Sequence, residues 1–422
     1  MAASTIALLS GSLKTSYSAK YWEAMQDAFT PILTDLEECP DEPILGVGWN
    51  FPFHLSSPGN VKLNSEGGSM GDVHQRVEVQ GTVNACEFLG WFQITEMLKN
   101  AGKNAGAFGN ELDRHTTETM DDVTKFMQRM FTISHGTGRL AVVDFTGTSG
   151  AVNNFIAAKN EGVTNLLEGE YIEFYNLDSG GSIFGSTARK ITAINRLTRS
   201  VTFDGAAADF TTVNYGVYKA GSYGQLVNGL RGLNDDATFG ASIHGQSRST
   251  YPALCCQKVD LGGNILTEES MRQMCDNIMR VGGAVDRIVT NVGGVNAFLT
   301  ISDGDRRYQM ERGKTAQRTL GYVPGDLLFS YHNGNLPIKI NPNIPGAEMN
   351  FLTWKRWMKF TTRKLGWLEG DGGNILHLTP GSGTYATSHI AMVCAEVNIG
   401  NPAPRWGGRL QNFIDKSVNG DS

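Results

Sequence analysis

The sequence has no closely spaced cysteine pairs of metal-binding type, no apolar run of membrane length and no surplus of basic charge. Its six cysteines, Cys39, Cys86, Cys255, Cys256, Cys275 and Cys394, are scattered without a CxxC or a Cys/His cluster. That spacing supports neither a zinc site nor a disulfide framework. Cys255 and Cys256 are adjacent, and neighbours rarely close a strain-free disulfide. Free thiols suit a chain made in a reducing compartment, the cytosol. No stretch approaches the roughly 20 apolar residues that a membrane helix needs. The apolar patch at residues 6–9 lacks the basic flank and small-residue cleavage site of a signal peptide. Lys and Arg number 36 against 42 acidic residues, a net charge of −6, so no global basic field seeks nucleic acid. Weak contact with DNA, or enclosure of it, stays compatible with that balance. There is no internal repeat and no low-complexity segment.

What is present is globular in composition. The 422 residues are 40% hydrophobic and 18% charged, with room for two or three domains. The 51 glycines point to many turns and extended segments rather than a compact helical fold.

One stretch organises the rest. Leu45, Val47, Trp49, Phe51, Phe53 and Leu55 alternate with Gly46, Gly48, Asn50, Pro52 and His54. On the return, Val73, Val77, Val79 and Val83 alternate with polar residues. Period-two alternation marks half-buried strands, here the two arms of a β-hairpin. The tip between them, residues 56–72, is polar and glycine-rich. An isolated two-stranded ribbon is marginal in water, so its apolar face needs a cover from elsewhere. A helix is predicted next, over 111–135. Leu112, Met120, Val123, Met127 and Met130 recur at helical spacing, Asn110 is the expected N-cap and Gly136 the stop. Acids fill its first half, with Lys125 and Arg129 in the second, as the helix dipole prefers. Its length would be about 37 Å.

Residues 1–44 form an arm with Trp22, Met25, Phe29, Leu33 and Leu36 near helical spacing. A short helical or mixed piece is expected after residue 86. From 138 to 220 short β-like runs (139–145, 170–175, 190–195, 200–204, 213–219) suggest a small β module. Residues 221–260 read as irregular. Thr267 then caps a helix with Met271, Met274, Cys275, Ile278 and Val281 on one face. A strand at 285–290 and a short helix around 295–299 follow. The run 389–399 is nearly all apolar, as in a strand buried on both faces.

No catalytic, cofactor or metal constellation emerges. Gly67-Gly68-Ser69-Met70-Gly71 matches the GxSxG elbow of serine hydrolases. That elbow needs a buried strand before it and a helix after it, and here a polar stretch precedes and a strand follows. Gly180 to Thr187 resembles a phosphate loop without its lysine; a hairpin turn is the expectation. His115 shares a helix face with Glu111 and Glu118, but no second histidine sits at ligand spacing. Lys355, Arg356, Lys359, Arg363 and Lys364 interleave with Trp354, Trp357, Phe360 and Trp367. This stretch reads either as a phosphate- or acid-contacting surface or as a solvated strand face with its aromatics turned inward.

The order of these parts resembles the major capsid proteins of tailed bacteriophages, the Hong Kong 97-type fold family. The arm, the ribbon 45–83 matching the family's extended loop, the helix 111–134 matching its spine helix and the segment 267–298 carry the likeness. So do the strand 389–399, Asn401-Pro402-Ala403 and the run 408–412. The resemblance implies an α+β fold with an N-terminal arm (1–44), an extended β-hairpin loop (45–85) and a peripheral domain with spine helix (86–137). A β-rich insertion (138–220), an axial domain with connections (221–385) and a C-terminal peripheral strand with tail (386–422) complete it. It implies a structural, non-enzymatic protein that forms hexamers and pentamers of an icosahedral shell around double-stranded DNA, assembled in the host cytoplasm and ending in the virion. Trp49, Phe51, Phe53, Lys62, Val77 and Val79 of the ribbon, with Trp22 and Phe29 of the arm, would then meet neighbouring subunits. Expected partners are further copies of the chain, a portal protein and a decoration protein, with no membrane. Only 44 residues precede the ribbon, so a separate scaffolding protein is expected. Some relatives crosslink a loop lysine to an asparagine; Lys62 is the ribbon's one lysine, and no acceptor is identified. The rivals are a cellular nanocompartment shell of the same fold, a tail or baseplate protein, and a soluble hydrolase using Ser69.

Overall fold

The computed structural model describes residues 36–39, 48–57, 59–64, 66, 68–69, 72–95, 111–144, 151–159, 161, 163–184, 187–210, 214–303, 327–331, 334–369, 375–380 and 385–414. They fall into two compact units. One draws on Met1–Trp49, Val83–Phe131 and Met358–Ile399, the other on Asn50–Thr82, Thr132–Trp357 and Gly400–Ser422. Trp22 and Phe29, and the arm reading with them, lie outside the described residues.

The first unit is organised by the 16-residue strand Tyr385–Gly400. Cys86–Thr95 runs antiparallel to it in unbroken register, from Ser388 opposite Thr95 to Val397 opposite Cys86. Leu376–Pro380 and Met358–Trp367 are its other neighbours, and Glu37–Glu38 adds in parallel to Met358 and Lys359 at the edge. Val393, Cys394 and Ala395 are consecutive and all buried, so both faces of this strand are covered, as its unbroken apolar run requires. The strand Cys86–Thr95 corrects the expectation of a helical or mixed piece. Phe88 and Ile94 point inward while Leu89 and Trp91 are exposed, and apolar residues on both faces blur the period-two signal. The helix Glu111–Ile133 buries Met120, Val123, Met127, Met130 and Phe131, the stripe its 3.6-residue period demands. It lies close to the sheet at Gly90, where an added Cβ would stand 2.3 Å from Val123 Cγ2. The helix stops two residues before the predicted end. Gly136 follows at φ +82°, and its N–H donates to Val227 O at 3.0 Å.

The second unit holds two six-stranded sheets. Strands between Arg139 and Lys219 form the first, in the order Arg139–Val142, Tyr215–Lys219, Tyr171–Asn176, Arg189–Asn195, Ser200–Phe203, Asn154–Ile156. Its core is aromatic: Phe155, Phe174, Phe203 and Phe210 are buried, with ring centroids 5.2–6.4 Å apart. All six ring pairs are tilted or edge-on, the arrangement ring quadrupoles favour.

The second sheet is mixed, in the order Gln257–Asp260, Gly408–Gln411, Glu348–Leu352, Arg287–Thr290, Gly334–Ile340, Leu327–Tyr331. Helix Glu268–Arg280 covers it. Thr267 caps that helix by accepting from Ser270 N at 3.2 Å, and Met271, Met274, Cys275 and Ile278 are buried. The strand below leaves room with Gly408, where a Cβ would meet Met274 Sδ at 2.4 Å. A further helix, Val292–Asp303, is longer than the expected 295–299. Residues 221–260 are not irregular throughout: they hold the short helix Leu230–Leu233, the hairpin Ser242–Ile243 with Gln246–Ser247, and the strand Gln257–Asp260. Elements of two to four residues are too short to show a period in sequence.

Candidate assembly surface

The ribbon consists of Gly48–Ser56 paired with Val77–Asn84. Its return strand starts at Val77 rather than Val73: residues 72–76 are exposed coil. At its root the apolar face is already covered by the chain itself. Trp49 is 4% exposed and its ring lies 5.1 Å from that of Phe360. Phe53 is buried and Phe51 half-buried, and both meet the His244 ring, at 5.9 and 5.2 Å. Gly81 makes this possible, since a Cβ there would sit 2.5 Å from Phe53 Cε2. Trp49 and Phe53, offered by the sequence as contacts for a neighbour, thus have partners within the chain.

Outward the cover fails. Val79 is half-buried and Val77 is 47% exposed, while Val73, Val61 and Leu63 reach 84%, 92% and 104%. The tip is shaped by side-chain amides rather than a strand ladder. Asn60 Nδ2 donates to His74 O at 2.9 Å, His74 N donates back to Asn60 Oδ1 at 2.8 Å, and Asn64 Nδ2 donates to Gly68 O at 2.7 Å. Lys62 is exposed and its Nζ donates to Ser69 O. Ser69 therefore sits on an exposed polar tip, and among the described residues no imidazole or carboxylate meets its hydroxyl. Nucleophilic activation needs such a base.

The other motifs resolve into ordinary roles. Asn176 Oδ1 accepts from Asp178 N and Ser179 N, with Gly180 at φ +72°, so the phosphate-loop look-alike is a turn there. His115 stacks on Phe92 at 6.0 Å and lies 4.0 Å from Glu118. Among the described residues no group of three or more His, Cys, Asp or Glu could hold a metal, and the six cysteines are free thiols. Of the basic stretch, Lys359 meets Glu38 at 3.3 Å, Lys364 meets it at 4.0 Å, and Arg356 lies over Trp406 at 5.0 Å. Trp354, Trp357 and Phe360 are buried, the inward arrangement of aromatics.

A web of buried charge in the second unit has no counterpart among the sequence readings. Arg248 and Arg409, both fully buried, meet Asp235 at 3.2 and 3.1 Å, and Arg409 also reaches Asp236 at 2.7 Å. Arg231 bridges Glu348 at 2.9 Å and Glu161 at 3.4 Å, and its guanidinium lies 3.8 Å from the centre of the Phe239 ring. Burial pushes Asp235 up, opposed by Arg409 and Arg248. Burial also works on Asp236, but Thr238, Arg409 and Lys258 outweigh it and hold it at about 2. His135 is driven well down by burial, then by Arg139, Arg231, Arg409 and Arg248. Charges removed from water must be paired like this to be tolerated. The web's partners lie up to 174 positions apart in sequence, so no local motif could announce it.

No protein-family model matches the sequence, and no curated protein sequence matches it. Solved structures do match. A chain of the Cyanophage A-1(L) capsid asymmetric unit aligns over 91% of this chain and 93% of its own, with a TM-score of 0.55 at 10% identity. The fold is the Hong Kong 97-type capsid fold. Chains from the capsid of an empty GTA particle and from Mycobacterium phage Bobi align over 90% and 91% of this chain, at 9% and 8% identity. Their TM-scores, 0.46 and 0.44, add nothing to that assignment. Within the capsid fold, the extended ribbon, the long helix and the 16-residue closing strand are the elements whose order the sequence displayed.

Proposed function

We propose that this chain is a structural shell protein that associates with copies of itself, as hexamers and pentamers, to build an icosahedral container for a phage genome. Support comes from a fold shared along nearly the whole length with a chain of a phage capsid. The observation that carries the self-association is the ribbon tip. Val61, Leu63 and Val73 stand almost wholly in solvent on a ribbon whose root is well packed. Apolar side chains held out in this way mark a surface awaiting a partner. A second copy is the partner that repeated heterologous contacts would supply, closing rings and then a shell. Lys62, Val77 and Val79 flank the same surface, and the arm with Trp22 and Phe29 would add a second tie. Double-stranded DNA would be held without sequence-specific contacts, and a portal protein, a separate scaffolding protein and a decoration protein would complete the particle in the host cytoplasm. The role is mechanical, with no reaction assigned to Ser69.

Size-exclusion chromatography with light scattering on purified protein, with and without a scaffolding partner, tests this. Capsomers or closed shells of uniform size in negative stain are expected. A monodisperse monomer under both conditions would overturn the reading, and open tubes or single rings would point to a tail component instead.

A further inference from the structure

The ribbon's root is held by a small hairpin whose turn residue is an odd choice. Ser242–Ile243 pairs with Gln246–Ser247, with Ile243 opposite Gln246, which leaves a two-residue loop of His244 and Gly245. Both have positive φ, +49° and +81°, the signature of a type I′ turn, where asparagine or glycine normally fills the first place. Histidine, like asparagine, tolerates positive φ better than most residues, but it is not the usual choice at this place of the turn. Its side chain accounts for it. The imidazole packs against Phe51 and Phe53 of the outgoing ribbon strand at 5.2 and 5.9 Å, and its Nε2 accepts from Asn401 N at 3.3 Å. The hairpin also grips the return strand: Thr82 N donates to His244 O at 3.0 Å, and Gln246 Nε2 donates to Gln80 O at 2.7 Å. Both ribbon strands are therefore tied to one two-residue loop.

We propose that the hairpin 242–247 is a clasp that fixes the direction in which the ribbon leaves the second unit, and that His244 is its positioning residue. Among the described ribbon residues the two phenyl rings face the imidazole, while the Thr82 amide donates to the His244 backbone carbonyl. The charged neighbour is Arg248, four residues on, which is itself engaged by Asp235. His244 is 6% exposed, and burial, then Arg248, hold its ring neutral with a pKa of about 3. The neutral ring keeps one proton, and the Asn401 N–H facing Nε2 places it on Nδ1, leaving Nε2 to accept. Opening the clasp would let the ribbon swing without unfolding the sheets beside it. The clasp is a property of the single chain; only its consequence, aiming the tip at a second copy, rests on the shell reading.

Hydrogen exchange on His244→Asn, read on peptides spanning residues 78–84, tests it in the unassembled full-length protein. Asparagine suits the left-handed turn at least as well as histidine, so a residue serving only the turn would leave the ribbon untouched. The clasp predicts exchange about tenfold faster at the ribbon root, with the strand Gly408–Gln411 and the melting temperature unchanged. Unchanged protection at 78–84 overturns the proposal, whatever the protein's assembly state. If His244→Asn fails to fold, Gln246→Ala removes only the bond to Gln80 O, and it must still speed exchange at 78–84 severalfold; no change there is equally fatal.

Discussion

The ribbon tip and the charged web of the second unit invert the usual placement of side chains in opposite ways. At the tip, Val61, Leu63 and Val73 are left in water. In the web, Arg248, Arg409 and Asp235 have no exposed side-chain surface at all. In the web each of these charges has a counter-charge in the same unit, so the pairing is supplied by folding alone, although Arg409 Nε is buried without a hydrogen-bond partner. The tip is incomplete in the single chain, and folding alone does nothing for it. The comparison sets a region that serves stability against one to which the proposed function assigns association, and mutations in the two places should fail differently.

The sharpest break is Arg409→Ala. It removes one of two cationic partners from Asp235, which keeps Arg248, and one from Asp236, which keeps Lys258; breaking a buried pair typically costs roughly 3–5 kcal/mol, and denaturant unfolding should show the midpoint falling or the protein failing to fold. Phe53→Ala probes the ribbon's anchored half. Truncating a buried phenylalanine that packs on His244 should cost about 3 kcal/mol, seen as faster exchange at the root together with a lower melting temperature. Acid sharpens the comparison next. His135 and His244 are held neutral in the folded chain, His244 with a pKa of about 3, whereas the unfolded chain takes up those protons from about pH 6.5 downward. Stability is full above that pH and should fall as pH drops from 6.5 toward 4, by about 1.4 kcal/mol per pH unit for each imidazole. Asp236, held at about 2, adds its own loss only between about pH 4 and 2. A flat profile from pH 7 to 5 would contradict the buried neutral histidines. The smallest effect on stability belongs to the tip: Val61→Ser with Leu63→Ser should shift unfolding by less than about 0.5 kcal/mol and yet lower the assembled fraction in light scattering.

Much of the fold was legible because its long elements carry clean periods. The stripe Met120, Val123, Met127, Met130 and Phe131 announces the long helix, and the run ending at Ile399 announces a strand covered on both faces. Cys86–Thr95 was hidden by Leu89 and Trp91, apolar residues on its outer face. The hairpin 242–247 left one usable local signal, the His244-Gly245 dipeptide between short alternating runs, and type I′ turns rarely use histidine. The charged web left none, since Asp235 and Arg409 are joined only by the fold. Along the ribbon, periodicity marks the apolar face but not which half of it the chain covers by itself. Trp49 and Phe53 look as available as Val77 until Phe360 and His244 are placed beside them.

The measurement that bears most directly on the central claim is light scattering on a chain lacking residues 56–72, with thermal melting run alongside. The account predicts a melting temperature within a few degrees of the full chain and an assembled fraction that collapses toward free subunits or capsomers. Shells of normal size and yield from the shortened chain would show that the exposed tip is not what joins one copy to the next.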